Sequence, residues 1–437
     1  MKRRTRHVAT AVAATLVGLG CGSSSGSEAV STAAAGAAGA GAESGSCPPG
    51  QLLCAAECVD PATDASNCGN CGNRCPAGEI CVDRVCSDPG AASAGGSGGN
   101  PGGGTSGGSG AEPSGGTSGE ATGGMAGQPD CPMQLEGWAT VSGDGVSSTT
   151  GGGSVTPVRP TSSQELMDYA SDDTARVIEI VGTFDVPRLQ VASSKTLLGV
   201  GTNATINGGI RIRGYADDNV SNVIVRNLRV NGATTDVDGD AMQVYFAHHV
   251  WIDHCEIWDG PDANLDAVHA SNWVTISWTK FRYTSAAPDP SHKFSNLIGH
   301  SDNNASEDRH RLKVTLHHNW WADGVTERMP RVRFGEVHVF NNYYSSAGNN
   351  YCIRAGIEAH ILSESNYFYR VSNPHEYNNS DDEATAHITQ RNNVFDGTSG
   401  DNVSGGGGTA FTSPPYAASI DDASAVPALV QACAGPQ

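Results

Sequence analysis

From residue 223 onward the sequence repeats one short pattern. "VIVRNLRV" (223–230), "VWIDHCEIW" (250–258), "VTISWTKF" (274–281), "VTLHHNWW" (314–321) and "VHVFNNYY" (337–344) each open on alternating apolar residues and close on a bulky one. An asparagine before two aromatic or apolar residues recurs at Asn319, Asn342, Asn366 and Asn393, at intervals of 23, 24 and 27. A period of roughly 20 to 50 residues marks a solenoid, whose units bury their apolar faces only by stacking. β-branched and aromatic residues without helical spacing make the unit a strand coil. One strand per coil, each about 4.8 Å from the next, predicts an all-β parallel β-helix. The repeated asparagine would form a ladder of amide hydrogen bonds at a corner between strands, although the same residue also suits an ordinary turn. "TSSQELMDYASDD" (161–173) predicts an early helix that caps the open end.

This body is expected to fill residues 130–437 of the 437. What precedes it reads differently. Residues 1–20 carry a basic start, a short apolar stretch and small residues, the layout of a secretory signal and too short for a membrane span. Cys21 follows as the lipid-bearing cysteine of a bacterial lipoprotein signal would, except that Gly18 stands where leucine is usual. Export is therefore expected, with release or anchoring through Cys21 both open. Residues 21–46 and 87–129 are rich in Ala, Gly and Ser and read as flexible tethers. Between them, 47–86 hold eight of the 13 cysteines. So short a module needs cross-links for want of core, and export permits disulfides. "CGNC" at 68–71 has zinc-ligand spacing, but the even count and the absence of histidine from the module favour four disulfides.

The protein carries 26 basic and 46 acidic side chains, a net charge of −20, yet "RMPRVR" (328–333) packs three arginines into six residues where a strand begins. Three aspartates fall near the middle coils: Asp240 in "DGDAMQV", then Asp262 and Asp266 in "PDANLD". Oxygen-only clusters suit calcium. An extended 262–266 segment would span about 13 Å, too far for one ion, but Pro261, Ala263 and Asn264 permit a bend.

"GDAMQV", "WIDHCEIWDG", "VTISW", "LIGHSD", "HHN", "ERMPRVRFGEVHVFNNYY" and "SESNYF", in this order, resemble the pectate lyase/pectin lyase family (polysaccharide lyase family 1) over residues 134–434. The Cys-rich module resembles Stig1-type domains; it shows no catalytic constellation and reads as a spacer or adhesive unit. The resemblance implies a right-handed parallel β-helix, preceded by that disulfide-rich module and linkers. It implies that Asp240, Asp262 and Asp266 bind calcium, with Asp238 matching a further acid found in some members. It implies that Arg328 is the catalytic base and that Arg333, with Arg331 beside it, binds substrate carboxylates. His254, His317 and His318 match motifs that pack the interior, and Trp251 and Trp258 read as core or rim. One position departs: where members carry a substrate-binding lysine, this chain has Phe294, with Lys293 one residue earlier. A slip of one residue reverses a side chain in a strand, so either a bulge returns Lys293 to the cleft or Lys280 or Arg282 takes its place.

The implied reaction is β-elimination on (1,4)-α-D-galacturonan. The C5 proton is not acidic while its carboxylate is free, because the carbanion would add charge to an anion; calcium offsets that charge. An arginine accepts a proton only in its neutral fraction, which favours alkaline pH. The expected enzyme is a secreted or surface-anchored bacterial monomer acting on polygalacturonate, with no nucleic-acid partner. Three other readings stand beside it: a metal-free pectin lyase acting on the methyl ester, a hydrolase using two of the aspartates, and a non-catalytic pectin-binding β-helix on the cell surface. The first normally lacks the aspartate set, the second does not need "RMPRVR", and the third needs neither.

Overall fold

A computed structural model describes residues 131–437 throughout and, before them, residues 51–54, 57–60, 62–67, 74–75, 80–82 and 85–87. The leader, Cys21, the 21–46 tether, residues 88–129, Cys47, Cys68 and Cys71 lie outside the described residues. The chain divides into two units, Met1–Ser118 and Gly119–Gln437.

In the first unit, Leu52–Cys54 pairs antiparallel with Glu57–Val59, and Ile80–Val82 with Val85–Ser87. Cys54, Cys58, Cys75 and Cys81 are disulfide-bonded, as the cysteine count predicted over zinc. Among the module's described residues, Cys75 and Cys81 form a buried apolar contact.

The second unit is a parallel β-solenoid of about nine turns. Each middle coil contributes three strands, not the one that the sequence pattern suggested. Asp240–Tyr245, Ala247–Asp253 and Glu256–Trp258 make one coil, and Ala263–Val268, Asn272–Ser277 and Lys280–Arg282 the next. Each repeated stretch is thus two strands and the corner between them. The strands stack into a nine-stranded sheet running from Arg176–Ile180 to His387–Arg391 and two further stacks that meet at the long strand Thr205–Arg213. One of those stacks holds Asp240–Tyr245, Ala263–Val268, Leu297–Ile298 and Arg331–Val332, and it carries the residues of interest.

Register explains the repeat. Val223, Val250, Val274, Val314, Val337, Ile361 and Ile388 are cross-strand partners on successive coils and form one fully buried column. Each such side chain is worth roughly 1.5–3 kcal/mol of burial. A second inward column stacks Phe281, Trp321, Tyr344 and Phe368, with successive ring centroids 5.8, 4.6 and 4.3 Å apart.

The asparagine ladder forms at the corner between two stacks. Asn319 Nδ2 donates to Asn342 Oδ1 at 3.0 Å, Asn342 to Asn366 at 3.0 Å, and Asn366 to Asn393 at 3.1 Å. The residue just before each rung has a left-handed backbone: His318, Asn341, Ser365 and Asn392 lie at φ between 50° and 54°. In the two preceding coils the same corner holds His254 and Trp278, at φ 48° and 47°. There His254, Trp278 and His318 stack on one another, ring on ring. His318 Nε2 meets Asp421 at 2.9 Å, and His254 Nδ1 meets Asp253 at 2.8 Å. His317 is buried against Phe340 and held well below its usual value by burial. These histidines serve corner and core.

The helix Ser163–Ser171 is capped by Ser162, whose side chain accepts from the Glu165 backbone N–H at 3.2 Å. Its Leu166 and Ala170 are fully buried in the main core beside Ile178 and Leu189. At the other end of the chain, Val426–Cys433 lays Val426 and Val430 over Tyr343. Cys433 closes a disulfide to Cys131, with Cα atoms 5.4 Å apart at a sequence separation of 302. Cys255 and Cys352 are buried and free, and burial pushes the Cys255 thiol up to about 12. In the chain-entropy model, closing a loop as long as that between Cys131 and Cys433 is worth about 6 kcal/mol before any strain is subtracted. Cys131→Ala with Cys433→Ala should therefore lower the melting midpoint by several degrees without changing turnover at 25 °C, as scanning calorimetry alongside a rate assay would read. An unchanged midpoint would show that the bond constrains nothing.

Candidate active site

The strand Asp240–Tyr245 places Asp240 at its start. Gly239 precedes it at φ +91°, where a Cβ would come within 3.0 Å of the Asp262 Cβ. Glycine there admits the next coil's aspartate, whose backbone N–H donates to the Gly239 carbonyl at 2.8 Å. The chain turns through Gly260 and Pro261 and enters the strand at Ala263, so the bend precedes the strand and Asp266 lies within it. Oxygens of Asp240, Asp262 and Asp266 all fall within 4.8 Å of one another.

Asp240 and Asp266 are buried, while the Asp262 side chain is 47% exposed. Asp266 Oδ1 accepts from the Leu297 N–H at 2.9 Å, and Asp240 Oδ2 from Gln243 Nε2 at 3.3 Å. Asp240 Oδ1 is buried without a donor, and so is the Gln243 carbonyl oxygen. Burial pushes Asp266 up to about 7; burial and the Asp266 and Asp262 charges push Asp240 well above the usual carboxylate range. Crowded acids with an unmatched oxygen form a donor set that a hard divalent cation would satisfy, and all-oxygen ligation suits calcium. Asp238 stands apart: exposed, it meets Arg213 Nη1 at 3.2 Å.

Facing the cluster is Arg328, its Nη1 3.8 Å from Asp262 Oδ2. It sits at φ +60°, before the cis Met329–Pro330 bond, and its carbonyl accepts from the Asn296 N–H at 2.6 Å. Its Nε and Nη1 are buried with no hydrogen-bond partner. The guanidinium lies over the Phe294 ring, 4.3 Å from its centroid. Phe294 holds the ladder position between Ala263 and Glu327, and its carbonyl accepts from the Tyr283 hydroxyl at 2.8 Å. Lys293, one residue earlier, is half-exposed, and its carbonyl receives the Thr326 N–H at 2.8 Å. Lys280 and Arg282 belong to the other stack, where Lys280 lies over Trp320 and Arg282 pairs with Glu256. Neither is brought to the aspartates.

Arg331 pairs in register with Leu297 below and Arg354 above. Its Nη2 donates to Asn378 Oδ1 at 3.1 Å and its Nε has no partner. Burial, then the Arg333 charge, pulls it down from the usual arginine value. Arg333 is more committed: Nε meets Asp302, and Nη1 donates to the Gly299 carbonyl at 2.9 Å.

Sequence reasoning missed Gln243, Phe294 as the partner of Arg328, and Tyr283, whose hydroxyl also donates to the Gly260 carbonyl at 3.1 Å. Gln243 is the register partner of Asp266, so counting residues from one coil to the next would have found it.

A family model described as pectate lyase matches residues 124–435, and one described as the stigma-specific STIG1-like protein family matches 28–89. A probable pectate lyase B from Aspergillus flavus is 35% identical over 230 residues, 50% of this chain and 65% of that protein. A pectate trisaccharide-lyase from Thermotoga maritima is 34% identical over 222 residues, 48% of this chain and 55% of that protein. The chain thus spans just under two thirds of the length of the Aspergillus relative it matches. Among solved structures, a pectate lyase from Bacillus sp. N165 in complex with trigalacturonate superposes with a TM-score of 0.58 at 24% identity, covering 69% of this chain and 98% of that one. A pectate lyase variant from Xanthomonas campestris does so at 0.55 and 23%, covering 69% and 98%. At these identities the likeness shows the fold.

Proposed function

Because the chain belongs to the pectate lyase family, we propose that it cleaves (1,4)-α-D-galacturonan by calcium-assisted β-elimination, releasing 4,5-unsaturated oligogalacturonides. The observation that carries this reading is the pairing of three converging carboxylates with an arginine two of whose buried nitrogens have no hydrogen-bond partner. Such a guanidinium is left available to the substrate.

Asp240, Asp262 and Asp266 would hold the ion, while Asp238 is engaged by Arg213 and is left out of the set. Calcium bound there supplies charge neutralisation and Lewis acidity at the uronate carboxylate. Arg328 removes the C5 proton. The electron pair of that C–H bond becomes the C4–C5 double bond, and the C4–O bond breaks with its pair on the departing oxygen. Arg331, Arg333 and Lys293 engage carboxylates along the chain. Arg333, clasped by Asp302 and Gly299, offers a fixed charge. The leader points to a bacterial enzyme, secreted or held at the outer surface through Cys21, acting as a monomer.

Ultraviolet detection of the unsaturated product separates elimination from hydrolysis and from mere binding. Reducing ends formed without that absorbance would mean hydrolysis, and neither signal would leave a binding protein. One feature favours the pectin lyase alternative: Phe294 puts an apolar ring beside the proposed base, a surface compatible with a methyl ester. A methylation series decides between them. Rates should fall steadily from polygalacturonate to highly methylated pectin, because an ester cannot bridge to calcium as a carboxylate does. A rise would move the assignment to pectin lyase.

A further inference from the structure

A second group of metal-ligating side chains lies beyond the other end of the Asp266 strand. His269 follows Ala263–Val268, His300 follows Leu297–Ile298, and Glu307 belongs to the short helix Ala305–Asp308. One ligand atom from each lies within 4.8 Å of the others. His269 is three residues past Asp266, about 10 Å along an extended chain. The group is therefore separate from the aspartates.

We propose that His269, His300 and Glu307 form a metal site for a divalent cation of the zinc class. The donor set decides the class. Two imidazoles and one carboxylate are borderline ligands suited to zinc and its transition-metal neighbours, whereas the oxygen-only aspartate cluster suits calcium. Three protein ligands leave a fourth position for water.

His269 Nδ1 lies 2.7 Å from Glu307 Oε1, which accepts a hydrogen bond from it. Tetrahedral ligation by these two atoms needs a separation of about 3.4 Å, an opening of about 0.7 Å. Glu307 is on a four-residue surface helix and its side chain is 29% exposed, so it can move that far. Asn304 Nδ2 donates to both His300 Nδ1 at 3.0 Å and Glu307 Oε1 at 3.1 Å, tethering the two side chains side by side; the His300 contact gives way when a metal takes that lone pair. His269 is fixed on its other side: Tyr245 stacks on it at 3.9 Å, and Arg213 lies over Tyr245 at 4.0 Å. His300 stacks on His269 at 3.8 Å and is exposed, so ring rotation presents its nitrogen edge instead of its face. Burial holds both imidazoles below their usual value, which keeps a lone pair on each at neutral pH.

Occupancy would have a mechanical result. His300 lies between Gly299 and Asp302, the two residues that grip Arg333. An ion joining His300 to His269 and Glu307 would stiffen that grip.

The test uses the full chain without an affinity tag, in excess calcium so that the aspartates are filled. Zinc is titrated by calorimetry, and cobalt absorption reports nitrogen ligation. One equivalent of zinc should bind, the melting midpoint should rise, and His300→Ala and Glu307→Gln should each weaken binding at least about tenfold. Circular dichroism of the metal-free variants checks that they fold. Absence of zinc uptake by the wild type overturns the proposal. So does uptake unchanged in both variants, which would assign the zinc to cysteines or to the aspartates.

Discussion

Replacing Arg328 with lysine should lower kcat on saturating polygalacturonate by roughly 10²- to 10⁴-fold, the usual contribution of a general base, with KM little changed. The charge survives the substitution, so a charge clamp would survive it too. What lysine cannot reproduce is the planar fork. In this site the guanidinium lies over Phe294 while two of its nitrogens remain without a hydrogen-bond partner. An ammonium at the end of a flexible stem has neither that plane nor that reach. The loss should appear in kcat because the interaction exists mainly when the proton is in flight. Arg333→Lys is the contrast: its Nη1 is already spent on the Gly299 carbonyl and its Nε on Asp302, so the change should raise KM more than it lowers kcat. Wild-type turnover should climb toward alkaline pH, since only an unprotonated base accepts the C5 proton. Steady-state rates of the two variants, with calcium in excess, make the comparison. If Arg328→Lys keeps most of its kcat, the base lies elsewhere.

Removal of calcium should cause a loss of similar order. Chelation is expected to suppress product formation by at least about 10²- to 10³-fold, the scale of losing one preorganised electrostatic partner, and added calcium should restore it. Asp240 and Asp266 are buried side by side, and the Asp240 Oδ1 has no donor. Without a cation this arrangement is electrostatically unfavourable, and the substrate carboxylate would add another negative charge. Asp262→Asn, at the exposed member, should shift the calcium dependence to higher concentration while leaving the fold intact. Activity undiminished in excess chelator would remove the metal from the reaction and favour the ester-cleaving alternative.

Much of this architecture was legible because a solenoid writes its period into the chain. Asn319, Asn342, Asn366 and Asn393 gave the coil length and the ladder in one reading. Three strands per coil were not legible, because each repeated stretch runs through its corner without a glycine or proline to mark it. Residues such as Trp278 and His318 occupy the left-handed position there, where sequence rules expect Gly or Asn. At the site, the aspartates and Arg328 stood in recognisable order. Their surroundings did not. Phe294 meets Arg328, and Asp302 meets Arg333, through register between coils and through side-chain rotamers, which no single stretch encodes.

The Cys131–Cys433 bond makes the lyase body a covalent ring. If the chain is exported as proposed, it meets proteases, and surface loops are where cuts fall. In an open chain one cut yields two pieces, and the terminal coils can peel away. In this chain a single cut at any point between the two cysteines leaves one molecule, both halves still joined at the bond and still stacked through the ladder and the apolar columns. A nicked copy would therefore keep its working parts in place for as long as the surroundings remain oxidising.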